Sequence, residues 1–230
     1  MEFYLNEEKA DIIKKYFDIY PFDGITTNTK MIGALGKVGY ADTIRSLRSA
    51  IGEEKKLFTQ VTSDSYEEMV AEGRFIAELG GPNTYIKVPV NETGIKVLRT
   101  LHERGYKTLG TICLTAIQAV MALQAGADYV AVFYNYMVQA GYDADKTMKD
   151  IAGYIRESNC GGQMMGVGNK KMEQFSNCIN DGCTAININA ATLTEWMHNE
   201  PSVSTLKDFM GGWIATWGDT RIRDFISVKE

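Results

Sequence analysis

Lys87 lies in Tyr85-Ile86-Lys87-Val88-Pro89-Val90, a β-rich run whose other members are apolar or aromatic, and Pro89, which has no amide to give a ladder, marks where pairing stops. A central strand has little use for a charge. Burying an unpaired ammonium is costly, and the common outcome is a lowered pKa. A shift from about 10.4 to about 7.5 costs about 4 kcal/mol and leaves a neutral amine, the nucleophile of Schiff-base chemistry on a carbonyl. On this strand alone, a lysine paired with a carboxylate or reaching to the rim is an equal reading.

The elements that must position Lys87 are short β-rich runs alternating with segments that repeat apolar residues every three or four positions. The strand runs are 3–5, 24–26, 57–61, 85–88, 108–112, 129–133, 164–167 and 184–188; the helical ones are 10–17, 41–51, 66–79, 94–103, 115–123, 143–156, 171–178 and 191–197. Ser63-Asp64 ahead of Glu67 and Glu68 reads as a helix start, and Gly80-Gly81-Pro82-Asn83 and Asp181-Gly182 as stops. Eight strand-helix units are expected to close into an α/β fold of the (β/α)8 TIM-barrel type. An open doubly wound sheet would carry a glycine-rich first turn, and here that turn is Leu5-Asn6-Glu7-Glu8. The run Gly33-Ala34-Leu35-Gly36-Lys37-Val38 lacks the upstream glycine and the final hydroxyl of a phosphate loop, so it reads as a loop with turn glycines.

Residues 1–230 read as one barrel domain, with 199–230 a C-terminal helical extension. That extension holds Phe209, Met210, Trp213, Ile214, Trp217, Ile222 and Phe225, and Trp213 and Trp217 share a helix face. It packs either on its own barrel or on a neighbouring subunit.

Composition narrows the partners. The formal charge is −5 and basic residues come no denser than pairs, so nucleic acid is not expected. No apolar stretch reaches the roughly 18 residues of a membrane helix, and the first residues do not resemble a secretory signal, so the expected location is cytoplasmic. Two histidines give little material for a metal cluster or a histidine triad, and His102 reads as a solvated helix residue. The four cysteines form no C-x-x-C pair; Cys113 and Cys183 read as core thiols.

Barrel enzymes collect their chemistry at the carboxyl ends of the strands, which here carry Asn6, Thr26, Thr27, Asn28, Gln60, Lys87, Thr111, Asn135 and Asn187. The motifs Met1-Glu2-Phe3-Tyr4-Leu5-Asn6, Gly24-Ile25-Thr26-Thr27-Asn28, Phe58-Thr59-Gln60-Val61, Ile86-Lys87-Val88-Pro89-Val90, Thr108-Leu109-Gly110-Thr111 and Ala125-Gly126-Ala127-Asp128-Tyr129-Val130-Ala131 run in order through nearly the whole chain. Together they resemble the transaldolase family, in particular its small fructose 6-phosphate aldolase and transaldolase-like branch. The resemblance implies a (β/α)8 barrel, no metal or organic cofactor, a lysine Schiff base with a dihydroxyacetone-type donor, and pentamers or decamers with the C-terminal helix on a neighbour. It makes Lys87 the Schiff-base residue. Asn28 then bonds a donor hydroxyl, and Gln60 and Thr111 hold the water that carries protons; the plainer readings are strand-end capping and core hydroxyls.

Several positions depart from the family pattern. Asn6 stands where the family has an aspartate that acts as general acid and base; an amide takes up no proton at neutral pH. Its rival reading is an N-cap ahead of Glu7 and Glu8. Thr29 replaces a proline. Tyr136, after Asn135, replaces the arginine that grips the substrate phosphate, and Gly168 a serine that does the same, so both anion anchors are missing. Gly166 to Lys171 reads either as a plain strand-to-helix turn or as a substitute that offers an anion backbone N–H groups and a lysine at a helix start. Phe133 points to the transaldolase type and Gln60 to the aldolase type.

The expectation is therefore a class I aldolase acting on a small-molecule carbonyl or sugar, with an acceptor other than a conventional sugar phosphate. The rival readings are a transaldolase moving a three-carbon ketol unit and a catalytically impaired paralogue that binds a carbonyl metabolite. Tyr134, Tyr136 and Asn187 are the candidates to replace the missing carboxylate.

Overall fold

The computed structural model describes residues 1–37 and 39–226. Val38, which ends the glycine-containing run above, and residues 227–230 of the C-terminal extension lie outside the described residues. The chain divides into two compact units, Met1–Ala190 and the segment from Ala191 onward.

The first unit follows the strand and helix alternation. Its elements are β1 (Glu2–Asn6), α1 (Ala10–Ile19), β2 (Gly24–Thr26), α2 (Thr29–Ala34), α3 (Tyr40–Ile51), β3 (Lys56–Gln60), α4 (Tyr66–Gly80) and β4 (Thr84–Pro89). There follow α5 (Glu92–Glu103), β5 (Thr108–Cys113), α6 (Ala116–Gln124), β6 (Tyr129–Phe133), α7 (Tyr134–Gln139), α8 (Ala144–Ser158), β7 (Gln163–Val167), α9 (Met172–Asn180) and β8 (Ala185–Asn189). The eight strands pair in parallel in chain order, and β8 closes on β1 with Tyr4 opposite Asn187 and Asn6 opposite Asn189.

Because strand side chains alternate, residues two apart line the same face of a barrel wall. That rule stacks Glu2, Tyr4 and Asn6 of β1, Lys56, Phe58 and Gln60 of β3, Tyr85 and Lys87 of β4, and Tyr129, Ala131 and Phe133 of β6 on the inner face. The middle of the barrel is an aromatic plug: Phe58 stacks on Tyr85 at 4.6 Å and meets Tyr129 edge-on at 5.2 Å. Below it the Glu2 carboxylate accepts hydrogen bonds from Lys56 Nζ (2.5 Å) and from the hydroxyls of Tyr4 and Tyr129 (2.6 Å each). With the floor filled, the room for a ligand inside the barrel lies at the carboxyl ends of the strands. The intervening residues Ile86, Val88, Val130 and Ile186 face outward into the layer shared with helix residues such as Leu98 and Leu101.

Two helices depart from the sequence-based expectation. Gly33 belongs to α2, not to a loop, because the Asn28 carbonyl Oδ1 accepts the Met31 amide at 3.0 Å and starts a helix two residues after β2. The segment after β6 turns directly into α7. The start of α4 is capped by Ser65, whose Oγ accepts the Glu68 amide at 3.3 Å, whereas Ser63 bonds to Glu72. Asn6 is no helix cap: α1 begins only at Ala10, after Lys9.

The remaining helices are α10 (Ala190–Met197) and α11 (Glu200–Trp217), followed by a short 3-10 turn, Ile222–Phe225. Within the second unit Trp213 and Trp217 stack at 5.6 Å, and Trp213 Nε1 donates to the Thr220 carbonyl at 2.8 Å. Phe209, Ile214, Trp217 and Ile222 remain exposed.

Candidate active site

Lys87 is the one buried lysine among the described residues, at 6% exposure. Its Nζ donates to the main-chain carbonyl of Thr27 at 2.6 Å, and burial lowers its pKa from 10.5 to about 8. A carbonyl oxygen steadies the ammonium without the full compensation of a carboxylate, so desolvation wins. The amine is thereby held in place and partly neutral near physiological pH.

Around it the strand ends enclose a cavity of about 350 Å³, lined by Asn6, Asn28, Gln60, Lys87, Thr111, Phe133, Tyr136 and Gly168 of the expected set. Register brings them together: Gln60 lies opposite Lys87 on β3 and β4, Pro89 opposite Thr111 on β4 and β5, and Asn6 opposite Thr26 on β1 and β2. Gln60 and Thr111 make no side-chain hydrogen bond to protein among the described residues, which leaves both for a small ligand or a water.

Two expected residues are placed elsewhere. Thr27 meets Lys87 through its backbone, while its hydroxyl turns to Thr59 Oγ1 at 3.1 Å. Asn135 is drawn off by α7, and its Oδ1 accepts from Gln174 Nε2 at 3.1 Å. Of the three replacements considered for the family carboxylate, Tyr134 is outside the cavity, its hydroxyl bonded to Asp145 and Asn177. Tyr136 and Asn187 both line the cavity.

Asn6 belongs to a chain of polar groups. The Thr26 hydroxyl donates to Asn6 Oδ1 at 2.9 Å, and Asn187 Nδ2 donates to Thr26 Oγ1 at 2.5 Å. Near Tyr136, Gly168 has φ of +73°, a conformation in which a serine is strained. The backbone N–H of Lys170 is already given to Gln174 Oε1 at 2.7 Å, so it is not free for an anion.

The sequence reading missed Lys30, Ile112, Asn169 and Asn189 as lining residues. Asn189 was legible from strand period, two beyond Asn187. Ile112 was not: β5 and β6 slip register between Gly110 and Cys113, and Ile112 takes a φ of +64° that turns it to the cavity. The lining holds three lysines, Lys30, Lys87 and Lys170, and no carboxylate.

A closed parallel barrel with one buried lysine at its carboxyl mouth, among amides, hydroxyls and two further lysines, puts the candidate site on the face where barrel enzymes carry catalysis. The profile of the Transaldolase/Fructose-6-phosphate aldolase family matches residues 4–211, and the chain belongs to that family as an enzyme of the aldolase or transaldolase type. A "Probable fructose-6-phosphate aldolase" of Streptococcus pneumoniae is 29% identical over 214 residues, covering 93% of this chain and 96% of the relative. Among solved structures, "Native KDPGal structure" is 17% identical with a TM-score of 0.57 over 81% of each chain. A cube-shaped, highly porous protein cage designed by fusing symmetric oligomeric domains is 14% identical with a TM-score of 0.60, over 93% of this chain and 78% of that one. At these identities the two structures speak for the barrel alone. No helix among the described residues is long and apolar enough to cross a membrane.

Proposed function

We propose that this chain is a class I aldolase in which Lys87 forms a Schiff base with a small ketone or hydroxyketone donor. The observation that carries the reading is the burial of Lys87 against the Thr27 carbonyl at the mouth of the barrel, with its pKa lowered to about 8. The neutral amine adds to the donor carbonyl, and the carbinolamine loses water to give an iminium ion. Breaking the neighbouring carbon-carbon bond sends its electrons toward the iminium nitrogen and leaves an enamine, which a proton then quenches.

Gln60 and Thr111, whose side chains bond no protein group among the described residues, hold the water that supplies and removes those protons. Asn28 offers a donor hydroxyl its amide, Phe133 and Tyr136 wall the acceptor side with rings 5.6 Å apart, and Gly168 shapes the turn beside them. The acceptor is other than a conventional sugar phosphate, since tyrosine and a left-handed glycine occupy the two anchor positions. The enzyme is cytoplasmic and assembles as pentamers or decamers, a reading in keeping with the exposed Phe209, Ile214 and Trp217.

The amide at Asn6 favours a second reading, in which chemistry stops at reversible imine formation and proton exchange on the donor. Cleavage of a ketose panel, with solvent exchange of donor protons measured in parallel, separates the two. Cleavage supports the aldolase, exchange alone the second reading, and neither leaves a protein that only binds a carbonyl metabolite.

A further inference from the structure

The polar chain across β1, β2 and β8 has a direction. A hydroxyl has one proton. Since Asn187 Nδ2 donates to Thr26 Oγ1 at 2.5 Å, the Thr26 proton is directed to Asn6 Oδ1 at 2.9 Å. The oxygen of Asn6 is therefore occupied, and its Nδ2, which has no protein acceptor among the described residues, is what the side chain has left for the cavity it lines. A carboxylate at this place would accept hydrogen bonds whichever way Thr26 pointed. An amide is sensitive to the polarity of its neighbours, here Thr26 and, through it, Asn187.

We infer that Asn6 is a hydrogen-bond donor to the reacting oxygen of the substrate, and that Thr26 and Asn187 are positioning residues that keep its N–H turned to that oxygen. The inference rests on the Schiff-base reading and specifies how that site handles the hydroxyl beside the breaking bond. In cleavage, that hydroxyl gives its proton to solvent hydroxide, forming water, and the resulting alkoxide is held by Asn6 Nδ2. The carbon-carbon bond electrons then pass to the iminium nitrogen, and the alkoxide becomes the aldehyde product. In addition the same N–H holds the aldehyde oxygen while charge develops on it. Neither direction uses Asn6 as a proton acceptor.

Two consequences are measurable. At saturating concentration of an unphosphorylated ketose such as fructose, kcat for cleavage rises about tenfold per pH unit, because hydroxide removes the proton; in Asn6→Asp this slope flattens, because a carboxylate supplies the base. In a double-mutant cycle, Thr26→Val and Asn187→Leu each lower kcat about tenfold, and neither lowers it further once Asn6→Ala is present. Thr26→Ser, which keeps the hydroxyl, restores the rate. Borohydride trapping of Lys87 with dihydroxyacetone, measured in each variant, reads imine formation separately from cleavage.

Full losses that persist in Asn6→Ala, no loss in either single variant, or a flat parental pH profile overturns the inference and leaves the Schiff-base reading standing. So does an adduct on Lys87 with no cleavage of any unphosphorylated ketose tested. A parent that gives no adduct on Lys87 overturns both.

Discussion

Lys87 Nζ lies 2.6 Å from the main-chain carbonyl oxygen of Thr27, and this bond ties the amine of β4 to the end of β2 across the mouth of the barrel. The carbonyl orients the lysine without neutralising it. Burial therefore sets its chemistry, and the pKa of about 8 follows.

The buried charge costs stability with a definite pH dependence. Below pH 8 Lys87 is charged in both the folded and unfolded states and the folded state bears the full desolvation cost. Between 8 and 10.5 the unfolded chain binds more protons, so stability rises with pH. Lys87→Met is expected to stabilise the fold by about 3 kcal/mol near pH 7, with the gain fading as pH approaches 10.5. Denaturant unfolding across this range checks it, and a variant no more stable than the parent at pH 7 contradicts it.

Asn6→Asp places a carboxylate where the Thr26 hydroxyl already donates. Cleavage of a ketose turned over by the parent is expected to rise about a hundredfold at neutral pH. Steady-state kinetics of the two proteins decides the matter, and an unchanged or lower kcat speaks against an aldolase-like arrangement at β1.

Gly168→Ser does not simply restore the hydroxyl found elsewhere in the family. With φ at +73°, the new side chain is strained, and a loss of about 1 kcal/mol or more is expected in thermal unfolding. Unchanged stability would show that the turn relaxes freely.

The Glu2 network closes the opposite end of the barrel. Burial raises the Glu2 carboxyl, but hydrogen bonds from Lys56, Tyr129 and Tyr4 and the charge of Lys56 outweigh it and hold the group below its ordinary 4.5. Its stabilisation is complete above that value and is lost as pH falls through the folded-state value. Glu2→Gln should cost about 1–2 kcal/mol at pH 7 and close to nothing in strong acid. Equal losses at both pH values would mean that shape, not charge, matters there.

Much of this was written in the order of the residues. Each expected strand run falls on an observed strand to within a residue or so, since parallel barrel strands are short, β-branched and bounded by turn formers. Lys87, Gln60, Asn6 and Thr111 were legible as candidates because each stands at the carboxyl end of an expected strand and falls in a motif that resembles the family; the strands alone left the choice open. Asn135 stands outside the lining: it sits in α7, which follows β6 directly, and bonds Gln174. Ile112 was hidden because a register slip depends on how two strands pair. Thr27 matters through a carbonyl that every residue type possesses, so its side chain announces nothing.

The most direct measurement is intact mass after borohydride reduction in the presence of dihydroxyacetone, hydroxyacetone or fructose 6-phosphate, followed by peptide mapping. The account predicts a reduced adduct on Lys87, formed faster as pH rises through about 8 and absent in Lys87→Met. No adduct from the folded protein with any of the three, or an adduct mapped to another lysine, would contradict it.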